Sequence, residues 1–338
     1  MKVPITINDI ARMGNCSKAT VSAVLNNRPG ISEPTRKRIM DLVKKYNYKP
    51  SQLARSLFTH KTQTIGLVIK EIDNPFFAKL MRGVYQICSE RNYTVLLGSS
   101  ELSSVHQSES IDALVRQQVE GIIISPLFGD DVNNELILDI HNDGYPVVLL
   151  NDIGLSGVPS VGIDNRKAAY QAVNYLLGKG HSRIVFLSGP DHSINAAERI
   201  KGYKQALEEA RTEWQSEDVI PTGSTIEEGY KVGKRIFNQP VPYTAALCFN
   251  DMVAVGLSNA LVEHNIKIPD DLSIVGFDNI KFCNSMRVPL TSVEVPAFKI
   301  GTTAAQVLFD SFDASSEIQQ RYVVEAKLVE RASVKSIQ

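Results

Sequence analysis

The sequence predicts a multidomain chain: an all-α helix-turn-helix head, then an α/β body of two doubly wound lobes. Three observations carry this. Residues 1–60 hold eleven Lys and Arg against three Asp and Glu, a net +8, and because all 338 residues sum to −1 the remainder carries −9. Residues 6–46 read as three short helices with a Gly-containing turn between the first two. From residue 64, continuous apolar runs alternate with amphipathic stretches in two successive series. The length agrees, since a domain takes roughly 100 to 200 residues.

In the head, Thr6 caps a helix over Ile7 to about Met13, with Asp9 at capping-box spacing. Gly14 and Asn15 stop it. Ser17 caps a second helix through about Asn26, whose Val21, Val24 and Leu25 form one apolar stripe. A third starts at the cap Ser32, tolerates Pro34 in its first turn, and buries Ile39, Leu42, Val43 and Tyr46. In this plan the second helix lies in the DNA major groove. Lys18, Ala19, Thr20, Ser22 and Ala23 leave its outer face short and polar, which suits close approach to DNA better than solvent. On periodicity alone a generic three-helix bundle stays open.

In the body, strands are predicted at 65–69, 95–98, 121–125 and 146–150, with a helix from about Pro75 to Arg91, and then at 183–188, 245–249 and 273–277. Continuous apolar strands between helices mean buried parallel sheets, and such sheets bind ligands at the strands' carboxyl ends. Four polar pairs fall there: Asp73-Asn74, Asn151-Asp152, Asn250-Asp251 and Asp278-Asn279. A single pair reads equally well as a turn former or helix cap. Four at corresponding strand ends favour a ligand site.

Other classes are disfavoured. No run approaches the roughly 18 apolar residues of a membrane span, and the N-terminus lacks a signal peptide's apolar core, so a cytoplasmic protein without membrane contact is expected. Cys16, Cys88, Cys248 and Cys283 form no CxxC pair and the histidines no metal spacing, so reduced thiols and no metal or cofactor are expected. The chain has no GxxxxGK[ST], no clear GxGxxG after the first strand, no GxSxG and no HExxH, which argues against an enzyme. Gly178-Lys179-Gly180-His181-Ser182 reads as a helix C-cap and turn. A sugar-binding transport protein would share the body but not the basic head. No apolar heptads follow Glu330-Arg331, so a homodimer is expected rather than a tetramer.

The text TINDIARMGNCSKATVSAVLNN, followed by SEPTRKRIMDLVKKYNYKPSQLARSL, resembles the head of the LacI/GalR family of bacterial transcription regulators. The resemblance continues along the whole chain through NPFFAKLMRGV, GHSRIVFLSGP, AERIKGYKQAL, FNDMVAVG and LVERAS, and its body is similar to periplasmic sugar-binding proteins. It implies a head over 1–49, a hinge helix and linker over 50–61, and an effector-binding and dimerisation domain over 62–338. Lobe 1 would comprise 62–161 plus 291–318, and lobe 2 162–290 plus 319–338. The matched positions make Lys18, Ala19 and Ala23 the major-groove readers and Thr20 and Ser22 contacts to the DNA backbone, with Thr6, Ser17 and Asn26 also at DNA-binding positions. Cys16 stands at a packing position. Ala54, Arg55 and Leu57 fall in the hinge helix, Leu57 matching a leucine wedged into the minor groove at the centre of a palindromic operator. Phe76 and Phe77 match walls of the effector pocket. Asn151, Arg199, Asn250 and Asp278 match groups that hydrogen-bond the effector, and Asp73 and Asn195 belong to the same pocket. An Arg, an Asp and several amides suit a polyhydroxy ligand, because hydroxyls need donors and acceptors together. A sugar or sugar derivative is therefore implied. Ser224 stands where some relatives have a second aromatic, which argues against a flat purine. The implied protein is a repressor under allosteric control, with inducer and corepressor both open.

Overall fold

The computed structural model describes residues 5–48, 61–127, 131–191, 193–236, 243–313 and 317–337. They form two separate units divided between Thr62 and Gln63. Ala54, Arg55 and Leu57 lie outside the described residues.

Among the described residues the head has three helices, α1 (Ile7–Met13), α2 (Lys18–Leu25) and α3 (Glu33–Lys45). Thr6 and Asp9 form the predicted capping box, and the Ser17 side chain accepts from the Thr20 N–H. Ser32 stands at the cap position of α3 but makes no capping bond, its hydroxyl going to Thr35 Oγ1 at 2.9 Å. The turn after α1 is carried by Asn15 in the left-handed region (φ 47°), whereas Gly14 is helical. Gly14 serves closeness instead, since a Cβ there would sit 3.0 Å from Ile10 O. Ile10, Ala11, Val21, Val24 and Ile39 make the core, with Cys16, Leu42 and Val43 packed against it. Tyr46, expected in that core, is 37% exposed, because it ends the helix and lies beside the Lys45 ammonium.

Among the described residues the body holds two six-stranded sheets. In chain order its elements are β1 (Thr64–Ile69), α4 (Pro75–Glu90), β2 (Thr94–Ser99), α5 (Ser104–Arg116), β3 (Ile122–Ile124), α6 (Asp131–Asn142), β4 (Val147–Leu150) and β5 (Ser160–Gly162). Next come α7 (Asn165–Gly178), β6 (Ile184–Leu187), α8 (Ile194–Glu209), β7 (Val219–Ile220), α9 (Ile226–Ile236), β8 (Ala245–Cys248), α10 (Asp251–Glu263) and β9 (Ser273–Asp278). β10 (Thr291–Glu294), α11 (Ala297–Asp310), β11 (Arg321–Val323) and β12 (Lys327–Val329) complete the chain. The strand orders are β11-β5-β4-β3-β1-β2 in lobe 1 and β12-β10-β9-β8-β6-β7 in lobe 2, so the lobes repeat one topology. Among the described residues all strand pairs are parallel except β10 with β12.

The expected lobe boundaries need correction. Bounds of 291–318 for lobe 1 and 319–338 for lobe 2 put β10 in lobe 1 and β11 in lobe 2, but β10 pairs with β9 and β11 with β5. Each of these strands completes the sheet it enters before the chain crosses. The crossings therefore fall at 163–164, 295–296 and 324–326. The predicted strand cores are buried throughout in β3, β4, β6 and β8, as two-sided parallel sheets require. Among the described residues, no helix is long and apolar enough to cross a membrane.

Candidate functional site

The head presents its polar positions on one helix. Ser17, Lys18 and Ala19 are exposed at the start of α2, while Thr20, Ser22 and Ala23 are partly exposed one turn on. Val21 and Val24 point into the core and fix that orientation. A helix N-terminus carries unpaired N–H groups and partial positive charge, which favours phosphate. Thr20 Oγ1 lies 2.9 Å from Ser17 Oγ, and Asn26 Nδ2 donates to Ser22 O at 2.9 Å, so these side chains also brace α2. Thr6 is exposed, its hydroxyl donating to Asp9 Oδ2 at 2.7 Å. Arg36 was not anticipated in this role: it donates to Asn27 Oδ1 at 2.8 Å and Arg28 O at 2.9 Å, clasping the turn after α2.

A second site is the cavity between the lobes, at the carboxyl ends of the strands. Lobe 1 contributes Lys70 and Glu71 after β1, Phe76 and Phe77 from the first turn of α4, and Asn151 after β4. The two phenylalanine rings meet edge to face, centroids 5.2 Å apart. Lobe 2 contributes Asn195 and Arg199 of α8, Asn250 after β8 and Asp278 at the end of β9. The cavity thus gathers seven of the eight expected effector residues. Asp73 is the exception: it is exposed and does not line the cavity, because its neighbour Asn74 turns inward to cap α4 through the Phe76 N–H at 3.0 Å.

Arg199 is 5% exposed and held on several sides. Its Nε donates to Asn165 Oδ1 at 2.9 Å, its Nη1 donates to Phe249 O, and its guanidinium lies 3.6 Å from the Phe277 ring centroid. Asn165 Nδ2 in turn donates to Asn195 Oδ1 at 3.2 Å. Asn250 caps α10 through the Val253 N–H and donates to Ser224 O, both at 2.8 Å. Ser224 Oγ donates across the cavity to Glu71 Oε1 at 3.0 Å, tying lobe 2 to lobe 1.

Asn151 and Asp278 occupy equivalent strand ends and share a backbone rarely taken by L-residues, with φ of 104° and 103°. Such a conformation costs about 1 to 3 kcal/mol and persists where the surroundings enforce it, commonly at binding sites. Gly162 makes room for one of them, since a Cβ there would lie 2.6 Å from Asn151 Oδ1. Burial drives the electrostatics. It pushes Asp278 well above the usual carboxylate range against the pull of Arg199, and it raises Glu71 despite the hydrogen bonds from Ser224 and Asn74. It lowers Lys70 to about 8, with Glu71 opposing and Arg199 assisting.

Sequence reasoning missed Lys70, Glu71 and Asn165 as cavity residues. Lys70 and Glu71 follow β1 immediately, so the strand-end rule applied a few residues earlier would have found them. Among the described residues no group of three or more His, Cys, Asp or Glu could hold a metal ion.

Comparison with known proteins places both units. Residues 62–332 match the family of periplasmic binding proteins and sugar binding domain of LacI family, and residues 6–51 match the bacterial regulatory proteins, lacI family. Catabolite control protein A of Priestia megaterium is 33% identical over 306 residues, covering 90% of this chain and 91% of the relative. The HTH-type transcriptional repressor PurR of Vibrio atlanticus is 33% identical over 335 residues, covering 98% and 99%. The solved complex of transcriptional regulator CelR with cellobiose has 26% identity and a TM-score of 0.74 over 97% of this chain and 99% of that one. The Lac repressor dimer bound to operator and the anti-inducer ONPF, at 22% identity, shares the fold with a TM-score of 0.89 over 98% and 100%. With both units matched and relatives alike along nearly the full length, the chain belongs to the LacI family and is a DNA-binding transcriptional repressor with a ligand-binding body.

Proposed function

We propose that the protein acts in the cytoplasm as a homodimer on a palindromic operator, and that a sugar or sugar derivative bound between the lobes sets its operator affinity. One observation carries this: Arg199, Asn151, Asn250 and Asp278, from both lobes, converge with Phe76 on a single cavity. Aromatic faces with mixed donors and acceptors suit a polyhydroxy ring. The cellobiose complex of the relative CelR supports the ligand class. In this reading Lys18 supplies the strongest direct base contact, about 1 to 3 kcal/mol if it meets guanine, because Ala19 and Ala23 offer methyl groups only. Thr6, Ser17, Thr20, Ser22 and Asn26 serve the DNA backbone. In the same reading Ala54, Arg55 and Leu57 would contact the minor groove. Lobe closure would alter the presentation of two heads in a dimer. A swing from 1:99 to 99:1 requires the ligand to discriminate between the two states by about 5.5 kcal/mol. No catalytic role is assigned to any residue.

The test is a sugar screen by thermal shift, followed by an operator gel shift with and without each hit. A ligand that stabilises the protein and changes operator affinity supports the reading, and the direction of change names it inducer or corepressor. Stabilising ligands that leave operator affinity untouched overturn it. Leu57→Ala should weaken specific far more than non-specific binding in a salt-matched titration.

A further inference from the structure

We propose that the hydrogen bond from Ser224 to Glu71 is the latch of the cleft, holding the two lobes together in the unliganded protein and parting to admit a ligand. The inference goes beyond the effector reading and concerns the protein without effector, so the two can fail separately. Ser224 Oγ of lobe 2 donates to Glu71 Oε1 of lobe 1 at 3.0 Å, and both residues line the cavity. They stand away from the chain crossings. The crossings join β5 and β11 of lobe 1 to lobe 2, and β10 and β12 of lobe 2 to lobe 1, and in each sheet these are the two strands at one edge. Glu71 follows β1, three strand spacings from β5. Ser224 follows β7 at the far edge of its sheet, and its carbonyl is tied to Asn250 after β8, two spacings from β10. At about 4.8 Å per spacing, the latch lies on an arm of about 10 to 14 Å. A rotation of about 15° then parts the pair by about 3 Å, beyond hydrogen-bond reach.

Each half of the latch is anchored in its own lobe. Ser224 is buried, and its carbonyl accepts from Asn250 Nδ2 at 2.8 Å. The next residue, Thr225, donates its N–H to Glu228 Oε2 at 3.2 Å, and the Glu228 N–H returns to Thr225 Oγ1 at 3.3 Å, which fixes the start of α9. Glu71 accepts from the Asn74 side chain within its own loop. That loop is held from behind by the Ile72 N–H on Glu101 Oε1 at 3.3 Å and the Leu102 N–H on Lys70 O at 3.2 Å. Parting the lobes therefore breaks the bond between them and spares the bonds on either side. A hydrogen bond to a carboxylate is strong enough to shift a closed-to-open ratio by about tenfold. Lys79 Nζ and Glu294 Oε1, 3.6 Å apart, also join the lobes, but Glu294 stands one residue before the middle crossing, where the same rotation moves little. Both of these side chains are exposed to solvent, so their attraction is screened. The two contacts thus differ in leverage as well as in strength.

The experiment uses the full chain with no effector added. Pulsed electron spin resonance measures the distance between nitroxides attached at Asp73→Cys and Glu227→Cys, exposed positions beside the latch on lobe 1 and lobe 2. Labelled chains are diluted into unlabelled ones so that a dimer carries one spin pair. Cys16→Ser removes the half-buried thiol of the head, and Cys88, Cys248 and Cys283 are buried. The expected result is a single short distance in the parent. In Ser224→Ala a longer distance should appear, its population relative to the short one raised about tenfold. Glu71→Gln keeps the accepting oxygen and loses the charge, so it should shift the balance less. Added to Ser224→Ala it should shift nothing further, since both changes act on one bond. Lys79→Met should leave the distance as in the parent. If Ser224→Ala does not fold, Glu71→Ala removes the same bond and is read in its place. A parent already divided between two distances, a variant lacking the bond that matches the parent, or Lys79→Met opening the cleft as far as Ser224→Ala overturns the latch. None of these results bears on whether a sugar fills the cavity, which the sugar screen decides.

Discussion

The two lobes are built alike and equipped differently. Both carry the same strand order, and in each the helix that follows the first strand of its series is sixteen residues long with glycine at its ninth position: Gly83 in α4 and Gly202 in α8. A Cβ at Gly83 would lie 2.3 Å from Phe298 O of α11, and one at Gly202 would lie 2.1 Å from Arg166 O of α7. The packing device is repeated, but the polar rim is not. Lobe 2 holds its rim in prearranged bonds, with Arg199 fixed by Asn165 and Phe249 and Asn250 fixed by Val253 and Ser224. Below that rim Asp251 accepts from Ile280 N at 2.8 Å, Ser292 Oγ at 2.6 Å and Cys283 Sγ at 3.1 Å. Lobe 1 presents Lys70 beside the charge of Glu71, and Glu71 in turn accepts from Ser224 of lobe 2. Equal scaffolds thus carry differently braced polar rims.

Four measurements would break or sharpen this contrast. Asp251→Ala should cost the most, about 3 kcal/mol in chemical denaturation, because it leaves three buried donors unpaired. Asp251→Asn should recover part of that loss. Gly83→Ala and Gly202→Ala should each cost about 2 kcal/mol, since a methyl group at either crossing forces backbone apart. Costs differing several-fold would mean the lobes are not packed alike. Arg199→Met should lower stability by about 1 kcal/mol, as its partners lose their donor, whereas Lys70→Met should leave the unliganded protein as stable or slightly more stable. The smallest effect concerns His181, 1% exposed and bonded to Thr244 Oγ1 and Lys335 O at 3.0 Å each. Burial holds its pKa below the usual value, so the folded state keeps it neutral while the unfolded chain protonates first. Its contribution is fully present above pH 6.5 and is lost as pH falls below that. His181→Gln should flatten the stability profile between about pH 7 and pH 5.

What the sequence made legible follows from how local each signal is. The caps at Thr6 and Ser17 need only their own first turn, and both form as expected. Ser32 looked identical in sequence, yet its hydroxyl found Thr35, a competition that spacing does not reveal. The seven predicted strands are those that fall in continuous apolar runs. The five unpredicted ones, β5, β7, β10, β11 and β12, are two to four residues long, and β7, β11 and β12 are not fully buried, so pairing with a remote partner rather than pattern makes them strands. For the same reason the sheet that receives β10 or β11 could not be read from periodicity. In the cavity, amides and carboxylates at strand ends stood out because the ligand rule names that place. Lys70 did not, because a lysine after an apolar strand reads as a solvated one. Asp73 failed in the opposite sense, since choosing between it and Asn74 depends on which residue caps α4.

The three chain crossings at 163–164, 295–296 and 324–326 have a mechanical consequence. A single tether would let the lobes twist, slide and tilt independently. Three side by side behave like the knuckles of a door, resisting shear and permitting chiefly a swing. Val295, which belongs to the middle crossing, also lines the cavity. A molecule filling the cavity would touch the axle as well as the two leaves, and its size there would limit the swing.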